Sequence, residues 1–103
     1  MELSVVSHED YIAKIGDDHK FPINKFSELA NYLIKKKIVK NFHKPYPCSE
    51  ETLKRAHSEI YIKNVMNKTL DKESIKKIGF PLVDSVIKRS LVATGGTVLA
   101  SKL

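Results

Sequence analysis

At 103 residues, 42% of them hydrophobic and 29% charged, the chain has room for one small globular domain and no more. The composition excludes a disordered tract and a fibre, and the apolar stretches are too short to span a membrane. No charged segment leads into an apolar core near Met1, so no secretory signal is expected. The one cysteine, Cys48, has no internal disulfide partner, and a reducing, cytoplasmic setting follows as the expectation. Net charge is +6, carried by sixteen Lys against two Arg. Arginine is the residue suited to bidentate base and phosphate contacts, so its scarcity disfavours nucleic acid as a partner.

In chain order, the β-branched run Leu3 to Ser7 predicts a short buried strand. A polar loop with turn chemistry follows at Gly16-Asp17-Asp18-His19-Lys20. Pro22 suits a first helical turn, and Phe26, Leu29, Ala30, Leu33 and Ile34 recur at helical spacing, which predicts a helix from about Ile23 to Ile38. Lys35, Lys36 and Lys37 then fall in its last turn, where cations complement the helix dipole. Pro45 and Pro47 mark an extended linker. Ser49, Ser58 and Asp71 read as caps of three successive short helices, the second ending at Asn67 and the third at Gly79 and Pro81. From Leu82 onward, Val83, Val86, Ile87, Ser90, Leu91, Thr94 and Val98 follow helical spacing again.

Two features are unusual for a complete domain. One strand alone has no ladder to satisfy its backbone groups. The last helix has no stop signal, its apolar pattern running on to Leu103, so the expectation is a chain cut in mid-helix. Gly95-Gly96 is a third oddity, because each glycine inside a helix costs about 1 kcal/mol against alanine. Close packing against a sheet is the expected compensation. Ser101-Lys102-Leu103 matches a peroxisomal address, a short match that arises readily by chance.

Self-sufficient chemistry is not visible. His8, His19, His43 and His57 stand at no metal-ligand spacing with each other or with Cys48. Cys48 lacks the context of a nucleophile, and Asp17-Asp18-His19 reads as a solvated loop. No phosphate-binding or nucleophile-elbow motif is present.

Four blocks in order carry a family resemblance: Val5-Val6-Ser7-His8-Glu9-Asp10-Tyr11; His19-Lys20-Phe21-Pro22-Ile23-Asn24-Lys25-Phe26; Ala56-His57-Ser58-Glu59-Ile60-Tyr61-Ile62; and Ile78-Gly79-Phe80-Pro81 followed by Arg89-Ser90 and Gly95-Gly96-Thr97. Together they resemble the N-terminal part of the zinc-dependent histone deacetylase family, closest to its bacterial, class IV-like, acetoin-utilisation-type members. The resemblance implies an α/β fold class. Residues 1–103 would be an incomplete N-terminal fragment, one strand plus several helices, of an arginase-like parallel-sheet three-layer domain.

The family removes acetyl from an acetyl-amide with a zinc ion that polarises the carbonyl and activates water. Its zinc ligands and paired histidines would lie beyond Leu103, so no residue here is expected to be catalytic or to bind metal, and no cofactor is expected in this chain. The implied partners are the remainder of the deacetylase domain and, for the longer form, an acetylated substrate. By the same resemblance, His19, Phe21 and Lys25 belong to the periphery of the substrate pocket. A cap on the first helix is the alternative for His19, and a place in the core for Phe21. His8, His57 and Tyr61 are expected to be buried and hydrogen-bonded. The competing functional class is a stand-alone basic helical module that binds nucleic acid or a protein partner.

Overall fold

The computed structural model describes residues 3–16 and 19–103. Its elements are helical: a 3-10 turn at Glu9–Tyr11, then α1 (Lys25–Lys35), α2 (Glu50–Leu53), α3 (Glu59–Met66), α4 (Lys72–Ile78) and α5 (Asp84–Ala100). Local chemistry places most of these boundaries. Ser49, Ser58 and Asp71 each accept a hydrogen bond from the backbone N–H three residues on, at Thr52, Tyr61 and Ser74. Gly79 closes α4 with φ +83°, a conformation that suits glycine.

Two helix ends lie one or more turns from any glycine and are closed by lysine instead. The expected helix over 23–38 is shorter, with Asn24 preceding it and Lys37 at φ 59° after it. Ile38 N–H reaches back to the Leu33 carbonyl and Lys37 N–H to that of Ile34, at 3.0 Å each, which is the paired closure of a Schellman turn. The same pattern ends α3, where Lys68 takes φ 58° and Thr69 N–H bonds the Asn64 carbonyl at 2.8 Å. In α5, the hydroxyls of Ser90 and Thr94 satisfy themselves on the carbonyls of Val86 and Ser90, both at 2.9 Å.

The expected α/β architecture is overturned. Among the described residues no sheet forms. The run from Leu3 to Ser7 contributes only an isolated parallel bridge, Val6 with His43. Two hydrogen bonds make it, Ser7 N–H to the His43 carbonyl at 3.1 Å and His43 N–H to the Val5 carbonyl at 2.9 Å. A single bridge is no ladder, so β-branched residues alone did not suffice for a strand. The arginase-like three-layer assignment falls with it.

The shape is a thin slab, 46 × 34 × 17 Å, with a radius of gyration of 15.3 Å against about 13 Å for a compact domain of this length. Accessible surface is 8024 Å², where a folded monomer of this mass exposes about 5,900 Å². The buried apolar core is accordingly small: Val39, Ile62, Val86, Ile87 and Val92.

Gly95 and Gly96 do allow close packing, but not against a sheet. A β-carbon at Gly95 would run into the carbonyl of Tyr46, and one at Gly96 into the hydroxyl of Tyr11. The strap Pro45-Tyr46-Pro47 therefore crosses α5 at backbone distance and is tied there by Cys48 N–H to the Leu91 carbonyl, 2.9 Å.

Candidate functional site

The chain entering α1 and the N-terminal half of α5 enclose an open cleft of about 760 Å³. His19, Phe21 and Lys25 all line it, together with Ile12 to Gly16, Glu28 and Ser85. The loop that carries His19 is held by the histidine itself. Phe21 N–H donates to His19 Nδ1 at 3.1 Å, so the ring hydrogen resides on Nε2, which donates to the Gly79 carbonyl at 3.0 Å. The imidazole also lies flat on Phe80, with centroids 5.1 Å apart and planes 8° from parallel. His19 thus does not cap α1. It fastens the loop before α1 to the end of α4.

Phe21 is half-buried and meets Phe80 edge-on at 5.3 Å, and Phe26 tilted at 6.2 Å. Two cations share those rings. Lys25 Nζ lies 4.8 Å from the Phe21 centroid and 5.2 Å from that of Phe26. The Arg89 guanidinium carbon lies 5.7 and 5.0 Å from the same two centroids. Arg89 Nε–H also donates to the Tyr11 carbonyl at 2.7 Å, which joins α5 to the 3-10 turn. Burial pushes the Tyr11 hydroxyl above its ordinary value of 10, with Arg89 opposing the shift.

Arg89 is the member of this cluster that sequence reasoning passed over as a site residue. The available signal was its rarity: in a chain that uses lysine almost throughout, an arginine marks a place where a planar, stacking cation matters. Phe26 and Phe80 were hidden by their helical and turn positions, since only the folded chain brings them to Phe21.

The other expectations fare differently. His8 is half-buried and caps the 3-10 turn, its Nδ1 accepting from Asp10 N–H at 2.9 Å. His57 and Tyr61 are not buried. Both are exposed, and their rings meet at 5.4 Å on the α3 side of the molecule. Asp17 and Asp18 lie outside the described residues. Among the described residues no three His, Cys, Asp or Glu side chains converge on one point. Chemically, the cleft itself presents Phe21, Lys25 and an imidazole engaged at both nitrogens, with Phe26, Phe80 and Arg89 packed on these groups outside its lining. That is equipment for binding and positioning.

No family model matches the chain. It aligns along its whole length, 30% identical over 105 residues, with an uncharacterised protein of Picosynechococcus sp., and covers 35% of that protein. The chain therefore spans about a third of the length of the curated relative it matches. These comparisons supply no activity. The helical architecture corrects the arginase-like assignment, and no deacetylase label attaches to the relative. No helix among the described residues is long and apolar enough to cross a membrane.

Proposed function

We propose that this chain is the non-catalytic N-terminal segment of a deacetylase-like amide hydrolase, contributing the rim of a substrate pocket while polypeptide beyond it supplies the metal and the reacting groups. One observation carries the reading. Residues from three of the four separated blocks that bear the resemblance gather in one cluster: Tyr11 from the first, His19, Phe21, Lys25 and Phe26 from the second, Phe80 and Arg89 from the fourth. Motifs far apart in sequence thus meet in one packed cluster, of which His19, Phe21 and Lys25 line the cleft. The small buried core and the exposed apolar side chains add support, because such a surface suits cover by further polypeptide. So does a match to one third of a longer protein.

The rim would orient an acylated substrate through Phe21 and Lys25, with Arg89 packed on the Phe21 ring to hold it in place. The zinc chemistry of the resembled family, polarising an amide carbonyl, belongs to residues outside this segment. The reading frame downstream of the Leu103 codon tests this. A frame that continues into a His-His pair and a later Asp-x-His supports the proposal. A stop codon after Leu103, or zinc-dependent turnover by these 103 residues alone, overturns it. In the first of those outcomes the basic-module reading takes its place, and its mark is nucleic-acid affinity that falls as salt rises.

A further inference from the structure

His19 holds its loop by two hydrogen bonds that make opposite demands on the imidazole. Phe21 N–H donates to Nδ1, which must keep its lone pair, while Nε2–H donates to the Gly79 carbonyl. Only the neutral ring with its hydrogen on Nε2 satisfies both. An imidazolium carries a hydrogen on each nitrogen, so a proton taken up at Nδ1 faces the Phe21 amide donor against donor, 3.1 Å apart. The Gly79 side responds the other way. A charged ring is the stronger donor, and the carbonyl it meets closes α4, where the helix dipole favours a cation.

We propose that His19 is a pH-operated catch: a proton taken from solvent at Nδ1 breaks the bond to Phe21, keeps the bond to Gly79, and frees the backbone of the Phe21 turn where it lines the cleft. The bond to Phe21 is present above the titration of His19 and lost as pH falls through it. Histidine is suited to this, since it ordinarily changes charge between about pH 5 and 8. Charge around the ring works in the same direction. Lys14, Lys25 and Glu28 line the cleft with it, Lys20 adjoins it, Arg89 of α5 packs on the Phe21 ring, and Lys76 and Lys77 stand in the last turn of α4. Of these only Glu28 is acidic, so a new positive charge adds repulsion to the lost bond. Asp17 and Asp18, which precede His19, lie outside the described residues. The proposal concerns the loop itself and does not depend on the hydrolase reading.

NMR of the 103-residue chain tests it. Long-range nitrogen–proton spectra follow the tautomer and charge of each imidazole separately, and hydrogen exchange follows the Phe21 amide, its rate divided by that of an unstructured peptide at the same pH. The expected result is the Nε2–H tautomer of His19 at about pH 8 and protection at Phe21 that falls about tenfold at the midpoint of the His19 titration. Val92 in the core of α5 should stay protected throughout, which separates release of the loop from unfolding of the chain. In His19→Ala the Phe21 amide should exchange fast on both sides of that midpoint. An Nδ1–H tautomer at high pH, a Phe21 amide equally protected before and after His19 charges, loss that tracks another group or reaches Val92, or a pH profile unchanged in His19→Ala would each overturn the proposal.

Discussion

The hydroxyl of Tyr11 sits against Gly96, in the space a β-carbon on α5 would occupy. One turn of 3-10 helix is thereby seated on the long C-terminal helix, and Arg89 secures the same turn through the Tyr11 carbonyl. The cleft that holds His19, Phe21 and Lys25 is built on that junction.

Substitution of the two glycines should therefore separate. Gly95→Ala meets the backbone carbonyl of Tyr46, which cannot rotate aside, and should destabilise the chain by about 1–3 kcal/mol despite the better helix propensity of alanine. Gly96→Ala meets only the tip of a side chain. Its smaller loss should be recovered when Tyr11→Phe removes the hydroxyl, and a double-mutant cycle on thermal unfolding measures the coupling.

Arg89 makes one charge-assisted hydrogen bond and covers two aromatic faces. Arg89→Ala should cost about 2 kcal/mol, and Arg89→Lys should recover less than half of that, because an ammonium cannot lie flat on a ring while donating sideways to the Tyr11 carbonyl. Denaturant unfolding of the two variants checks both the size and the order of the effects.

His19 should act as a clasp. His19→Ala removes the acceptor for Phe21 N–H and the donor to Gly79, and amide exchange at Phe21 should accelerate up to about tenfold. His19→Phe keeps the stack on Phe80 but neither hydrogen bond, so exchange at Phe21 should stay fast. Equal protection in wild type and His19→Phe would assign the clasp to stacking alone.

Asp71 gives α4 a dependence on pH. Hydrogen bonds from the Ser74 hydroxyl and backbone N–H hold its carboxyl below the ordinary value of 3.8. A depressed folded-state value means the cap stabilises fully above 3.8 and is lost as pH falls through the lower, folded-state value. The helical signal of α4, followed at the Ser74 amide by NMR, should decline in that acid window. Asp71→Asn, which caps without titrating, should flatten the profile.

Much of the local structure was legible in the sequence. Ser49, Ser58 and Asp71 announce their helices because a cap needs only the residue and the next three amides. Gly79 announces a stop for the same short-range reason. The end of α1 was less legible, since Lys37 carries no sign that it will take a left-handed conformation, and that choice follows from where Ile38 must point. His19, Phe21 and Lys25 are close in sequence, and the folded chain places all three on the lining of one cleft.

What the sequence by itself determined, then, is the helical segmentation, the surplus of lysine and the cluster of residues entering α1. Each follows from interactions within a few residues. Only the tertiary structure decided that the run around Val6 makes one bridge and no sheet, that Gly95 and Gly96 admit a strap and a tyrosine, and that Arg89 and Phe80 close on Phe21. Those outcomes depend on which distant segments arrive at the same place. Backbone hydrogen bonds and ring contacts across that separation leave no periodicity in the chain to read.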